Sequence, residues 1–587
     1  MDQLFVEIEL INRDNQTEIY TTVHSFIALY VYKYLNSPSN IKLNYVKTYF
    51  HQHAKIRLNT EALNELNDDR IICKNKSTIQ AIRDLKLPAY VKDKNTFISG
   101  LCAVCREVVD RNVDSDRREL LGFKQSCLLA PAESSIWTRF CEVNILQALE
   151  EVLLGTTTTS TESKVYELPQ ELPRFEAHMG EPVRMHNIYK LARENANKKK
   201  EKKGKVIIEC TTPKETLGIE HRFAEGITFT IADLLLYPCF RLILGQMPVS
   251  LVTADELPRI HRWMKEIEST DEQCQQVLEE LYPEINISKK THTSYKMPEY
   301  EHTSLYKSDP KRYKPRNRIF TEQSEIDSSL EKLSPLQIEF SSDTDVAYDM
   351  PIDWNAIEPD QSKTSALPEE RLDRKRKQLE NVANAVKSLA EDGDRIIDFC
   401  SGTGHLGILL ALTLPKCSVI FLENKAISLQ KAKTRAEELG LTNCLFYQCN
   451  IDYFEGIFDI GTSLHACGTA TDIVLNQCIR SRAKFVCCPC CYGSIQPMPH
   501  IKYPLSKRFQ SALSERDFLH IAHAADQAHE LGTLNCKPET TFQGQMCMDI
   551  VDSDRKLHAE EAGYEVILTR LRPENCTPKN RLLVGVI

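Results

Sequence analysis

The chain has 587 residues, a length that predicts two to four domains. With 42% hydrophobic and 26% charged residues it can build ordinary cores, and its net charge of −9 excludes a wholly basic nucleic-acid coat while leaving room for a local basic patch. No apolar run approaches the roughly 18–20 residues of a membrane span. The opening MDQLFVEIELINRD carries acids where a signal or transit peptide wants a basic lead, so the expectation is a cytosolic or nuclear protein whose 21 cysteines stay reduced.

In chain order, LFVEIELI and NTFISG read as strands, with a helix-like run around Ser25–Leu35 between them. Cys102-Ala-Val-Cys105 has C-x-x-C spacing but does not follow a first strand as a redox motif would, so a helical packing pair is expected. From Pro131 the pattern turns helical, and Glu133–Gly155 ends in glycine, a common stop. A Ser/Thr-rich loop follows, then the charge run Asn197–Lys205, expected to be solvated. Phe229–Gly245 reads as another helix. In its Thr230-Ile-Ala-Asp233 start, the Thr hydroxyl is expected to take the Asp233 amide and the Asp carboxylate to reach back to the Thr230 amide. Leu257–Ser269 is a helix with Pro in its first turn. From Lys289 to about Ala366 the chain is polar and reads as a linker, partly disordered. Within it, Leu305–Arg318 interleaves positive charge with Tyr306 and Tyr313, which suits either RNA phosphates and bases or plain solvation.

From Leu367 strands and helices alternate, which predicts a parallel α/β sheet, and Glu370–Val382 is a basic helix ahead of its first strand. Gly402, Gly404 and Gly407 form G-x-G-x-x-G after a strand and open a helix. Glu423 closes the next strand about twenty residues on, where an acid can accept ribose hydroxyls. That context points to a nucleoside cofactor, NAD or S-adenosylmethionine (SAM). Asp398 inside the turn favours SAM, because a carboxylate suits a cationic ammonium and repels a pyrophosphate. Asn450 and Asp452 follow the third strand, where an adenine amino group can be bonded; an ordinary helix cap is the plain alternative for Asp452. His465 follows the fourth strand and is either a base for a hydroxyl acceptor or a structural histidine bonding the loop backbone. Cys487, Cys488, Cys490 and Cys491 form C-C-P-C-C, poor zinc spacing because adjacent residues on a strand point to opposite faces, so no metal is expected there. The strand end is expected to shape the substrate mouth, with Tyr492 stacking on a base or filling a hydrophobic gap.

The stretch DFCSGTGHLG (Asp398–Gly407) resembles motif I of class I SAM-dependent methyltransferases, with Cys400 at the first glycine, a change tolerable if the backbone there keeps a negative φ. SLHACGTATD (Ser463–Asp472) with FVCCPCCYG (Phe485–Gly493) resembles a branch that includes a eukaryotic tRNA 2′-O-methyltransferase, although that enzyme's N-terminal zinc modules have no counterpart in this sequence. Trp137, Thr230–Asp233 and Leu257–Trp263 resemble the helical C-terminal domain of glutathione S-transferases. Pro88 resembles the cis-proline of a degenerate thioredoxin-like domain before it. The Glu of the Glu-Ser pair that holds glutathione is missing near Ile98-Ser99. Taken together, the chain from about Leu85 to its end is similar to the family of glutathione S-transferase C-terminal domain-containing proteins.

The resemblance implies a degenerate thioredoxin-like α/β domain (1–125), an all-helical transferase-type domain (126–288), the linker (289–366) and an α/β, Rossmann-like class I methyltransferase domain with a mostly parallel, doubly wound sheet (367–587). It implies a cytoplasmic SAM-dependent methyltransferase acting on RNA, with tRNA favoured. Asp398 would face the methionine ammonium, through a bond or water, Cys400, Gly402, Gly404 and Gly407 would form the cradle, Glu423 would hold the ribose and Asn450 and Asp452 the adenine end. His465 and Tyr492 would meet the acceptor. Two other classes stay open: a non-catalytic scaffold whose helical domain docks protein partners, and a glutathione-dependent transferase.

Overall fold

The computed structural model of the chain describes residues 1–13, 16–49, 54–61, 63, 71–73, 80–113, 117–155, 165–198, 208–246, 256–283, 294–300, 303–306, 322–342, 344–354, 369–498, 500–528 and 538–587. The Ser/Thr-rich loop after Gly155, most of the Asn197–Lys205 run and the basic stretch from 307 to 318, Tyr313 included, lie outside them. The chain divides into two compact units, Met1–Lys94 with Ile98–Asp309, and Asn95–Phe97 with Pro310–Ile587.

In the first unit β1 (Asp2–Arg13) pairs antiparallel with β2 (Gln16–Thr22) and parallel with β3 (Ile41–Lys47). The link from β2 to β3 is the helix Val23–Tyr34, capped by the Thr22 side chain on the Ser25 amide. Strands β4 (Lys55–Leu58) and β5 (Ile71–Cys73) extend the sheet on β2 and β3, and β6 (Ala89–Val91) pairs antiparallel with β1. The Leu87–Pro88 peptide is cis, as expected. After β7 (Thr96–Ser99) the helix Leu101–Arg111 buries both Cys102 and Cys105, the expected packing pair. A short parallel pair, β8 (Val165–Glu167) and β9 (Ser294–Lys296), lies outside this sheet. Helices supply the rest of the core. The stretch read as one helix from Glu133 is a short helix, Ile136–Arg139, one π turn, Phe140–Asn144, and a helix Ile145–Leu154 that stops at left-handed Gly155.

The buried helix Ile231–Gln246 begins with half of the expected capping box. Asp233 Oδ2 accepts from the Thr230 amide at 2.9 Å, but the Asp233 amide bonds the Thr230 carbonyl at 3.0 Å and the Thr hydroxyl turns to the carboxylate instead. Asp233 also accepts from the Ala224 amide (2.7 Å) and the Trp263 indole (2.8 Å), so it ties two helices and a loop. Burial outweighs these donors and raises its pKa from 3.8 to about 6. A carboxyl that binds its proton more tightly folded than unfolded stabilises most below its unfolded value, and that contribution fades as pH rises toward 6. Asparagine does not titrate. The stability lost on Asp233→Asn is therefore expected to be larger at pH 4 than at pH 7, read from denaturant melts of both chains at each pH. An equal loss at both pH values would contradict the raised pKa.

The second unit is built on one sheet with the order β15–β16–β14–β13–β10–β11–β12. Its members are β10 (Arg395–Phe399), β11 (Ser418–Glu423), β12 (Cys444–Gln448), β13 (Ile460–Cys467), β14 (Lys484–Cys490), β15 (Glu565–Arg570) and β16 (Arg581–Val586). The five from β10 to β14 are parallel, while β16 runs antiparallel to β14 and β15. Helices connect β10 to β11, β11 to β12 and β13 to β14, whereas the link from β12 to β13 holds only a 3₁₀ turn, Ile451–Tyr453. The stretch expected as linker is divided between the units: its described residues up to Tyr306 belong to the first, with Leu305 in that core, and those from Glu322 to the second. The helix Gln323–Glu331 packs Ile326 into an apolar cluster with Tyr492, Phe518 and Val551, and Tyr348, Ile352 and Trp354 pack on a second cluster around Val382 and Val386. Among the described residues no helix is long and apolar enough to cross a membrane.

Candidate active site

Strand β10 lies between β11 and β13, so the chain moves outward on one side as far as β12 and then returns to the other side of β10. At such a switch point the loops leaving the two central strands diverge and open a crevice beyond their carboxyl ends. The Gly-rich turn leaves β10 at one wall of that crevice, and His465 and Cys467 end β13 at the other.

The turn is held by its two acids. Asp398 Oδ2 accepts from the Gly407 amide, and Glu423 Oε2 from the Gly402 amide, both at 2.9 Å. Glu423 Oε1 also accepts from the Lys425 amide at 3.0 Å. Asp398 is 2% exposed, and its bond to the Gly407 amide anchors the turn to the first turn of the helix His405–Thr413. Burial raises its pKa to about 7, with Glu423 adding and the Gly407 amide opposing. Cys400 departs from expectation. Its φ is +56°, in the left-handed region, as are Gly402 (+56°) and Gly404 (+78°). A cysteine held there costs on the order of 1–3 kcal/mol, supplied by the bonds that fix the turn.

The three glycines have different reasons. A Cβ on Gly404 would lie 2.6 Å from the Ala432 methyl, and one on Gly407 would lie 2.5 Å from Phe421, so both are required by packing between helices and sheet. Around Gly402 the nearest atom is the Cys400 carbonyl at 4.0 Å. Gly402 alone of the three borders open space, and beside it the buried Ser401 Oγ has no hydrogen-bond partner. An orphaned buried hydroxyl next to an uncovered backbone suits a polar ligand.

Asn450 and Asp452 follow β12, where Asn450 leads into a single 3₁₀ turn, Ile451–Tyr453. Asp452 is half exposed and 3.7 Å from the His500 imidazole. At the other wall His465 is exposed with φ +72°. Desolvation by the surrounding protein lowers its pKa, Cys491 opposes and Lys375 adds to the lowering. Lys375 belongs to the basic helix Glu369–Leu389 and also lowers the pKa of His405, behind burial as the main cause. Lys375 thus lies within electrostatic reach of both histidines.

Tyr492 is a correction. It is fully buried, and its hydroxyl donates to Asp552 at 2.7 Å inside the helical layer, so it cannot touch an acceptor. The residue read as a gap-filler or a base platform is the former, because Cys491 turns the chain inward at φ +53°. Two features had no sequence signal. Asp472 and Asp552 flank the buried Arg555, and Cys467 stands beside Cys490 and Cys491.

Residues 374–498 match the family model of a methyltransferase domain. Over 595 residues the chain is 59% identical to a glutathione S-transferase C-terminal domain-containing protein homolog of Drosophila pseudoobscura pseudoobscura, covering 100% of this chain and 99% of that one. The human glutathione S-transferase C-terminal domain-containing protein is 33% identical over 578 residues, 86% of each chain. This chain belongs to that family. A 2-phytyl-1,4-naphtoquinone methyltransferase of Synechococcus elongatus is 30% identical over 169 residues, 27% of this chain and 70% of that one. The methyltransferase domain thus includes the turn 398–407, Glu423, His465 and the Cys487–Cys491 strand end, all within the matched range.

Proposed function

We propose that the second unit binds SAM over the turn 400–404 and transfers its methyl group to an RNA, with tRNA favoured. The observation that carries the reading is the opening at Gly402 with the unpartnered Ser401 hydroxyl beside it, at the switch point of a methyltransferase sheet. Bound there, SAM would supply an activated sulfonium methyl. The chain's own work is then alignment of the acceptor and removal of its proton. Gly402 lets the backbone approach the cofactor, Glu423 and Asn450–Asp452 receive its nucleoside, and Asp398 fixes the turn. His465 is the base for an acceptor hydroxyl. An anionic acceptor is favoured by the positive charge that Lys375 brings to the mouth.

Gly402→Asn tests the cradle. Asparagine tolerates the left-handed backbone better than other side chains, and the space around Gly402 admits it, so the fold survives. SAM affinity by calorimetry should fall at least tenfold, about 1.4 kcal/mol or more. Gly404→Ala, by contrast, should lower stability through its clash with Ala432. Transfer of radiolabelled methyl from SAM to total RNA, with the tRNA fraction counted separately, tests the acceptor. Wild type that binds no SAM overturns the reading, and SAM binding with no label in any RNA overturns the acceptor.

A further inference from the structure

We propose that Cys467, Cys490 and Cys491 form a three-thiolate site for a thiophilic divalent metal of the zinc class. The sulfur of Cys467 lies 3.5 Å from that of Cys490 and 3.4 Å from that of Cys491, and all three lie within 4.8 Å of one another. A disulfide would need sulfurs about 2.05 Å apart. Three thiolates sharing one tetrahedral zinc at about 2.3 Å stand roughly 3.8 Å apart, close to the separations found.

The backbone builds this arrangement from two parallel strands. Cys467 and Cys490 are register partners at the ends of β13 and β14, after an irregularity between Leu464 and Cys467 that re-aims the end of β13. The Gly468 amide donates to the Cys490 carbonyl at 3.0 Å and locks the pair. Cys491 would face away from Cys490 if the strand continued. Its left-handed conformation, φ 53° and ψ 50°, ends the alternation and brings its sulfur back to Cys467. Gly468 is itself left-handed, and a Cβ there would lie 2.6 Å from the Ser494 carbonyl, so two adjacent turns are specialised to seat the trio.

Metal binding would release the thiol protons to solvent as three metal–sulfur bonds form. Lys579, paired with Asp526 at 3.2 Å, also lies within electrostatic reach of Cys490 and Cys491. Among the described residues no fourth cysteine, histidine or carboxylate joins the group. Cys467 is exposed, so the fourth position is open to water or an exogenous ligand. The site needs no SAM, and its test is separate from that of the methyl-transfer reading.

The full chain, purified with a phosphine reductant, is measured for zinc by elemental analysis, then stripped and titrated with cobalt. The expected result is one metal per chain, a sulfur-to-cobalt charge-transfer band, and loss of both in Cys467→Ser and Cys490→Ser with unchanged circular dichroism. Should either variant fail to fold, wild type decides alone by alkylation footprinting. Bound zinc should protect Cys467, Cys490 and Cys491, and a chelator should restore their reaction. A cobalt spectrum without a thiolate band, or three thiols that react at the same rate with and without zinc, overturns the site.

Discussion

His465→Ala lowers the rate of methyl transfer by a factor of about 10² to 10⁴ while SAM affinity changes little, the range expected for removing a positioned general base. The argument is positional. His465 ends β13 directly across the switch point from the turn after β10, its side chain is exposed, and it lies outside the bonds that fix the turn. A second variant separates chemistry from backbone. The φ of +72° is one that glycine adopts freely. His465→Gly preserves the loop but not the imidazole. If His465→Gly is as slow as His465→Ala in single-turnover measurements, the imidazole is the working group. If it keeps the wild-type rate, His465 only shapes the loop and the base assignment fails.

Arg555→Met costs the second unit about 3–5 kcal/mol, because it strands two carboxylates in a dry interior. Arg555 Nε and one terminal nitrogen bond both oxygens of Asp472 at 2.7 and 3.2 Å, and its other terminal nitrogen bonds Asp552 at 2.9 Å. All three side chains are at most 1% exposed. Tyr492 and Tyr503 donate their hydroxyls to the same two acids at 2.7 and 2.5 Å, completing a network in which neither acid is left half-bonded. Asp472 lies in the first turn of the helix Thr469–Ser481 that follows β13, whereas Asp552 and Arg555 lie on the helix Pro538–Glu561. The network therefore fixes the helix that leaves the His465–Cys467 strand end. Adding Asp472→Asn and Asp552→Asn to the Met variant should recover part of the loss in denaturant melts, since the orphaned charges are then gone. A single Arg555→Met variant within 1 kcal/mol of wild type would show the network to be neutral, as ion pairs between exposed groups usually are.

What the sequence by itself determined is what short-range chemistry dictates. The alternation of strand and helix after Leu367, the glycine turn after β10 and the acid that ends β11 all fall within one βαβ unit of some thirty residues. Periodicity and turn composition specify such a unit directly. The helical stop at Gly155 and the left-handed Gly402 belong to the same class, as does the basic character of the helix Glu369–Leu389. Domain roles came from resemblance instead of local pattern, and the capping box at Thr230 was half right because the Asp233 amide bonds the Thr230 carbonyl while the Thr230 hydroxyl turns to the carboxylate.

Only the tertiary structure decided which side chains meet. Asp472 and Arg555 are 83 positions apart, and nothing local marks either as a buried ion. Tyr492 looked available because it follows a strand end, yet one left-handed residue, Cys491, turns it into the helical layer. The same residue undoes the argument from strand alternation against a shared ligand at Cys490 and Cys491, since alternation holds only while the strand lasts. Cys467 joins them because β13 and β14 are neighbours in parallel register, a fact about strand order. Side-chain periodicity is a property of one segment, whereas sulfur-to-sulfur and charge-to-charge distances are set by packing between segments. The cofactor turn could therefore be read along the chain, while the thiol trio and the buried arginine could be read only across it.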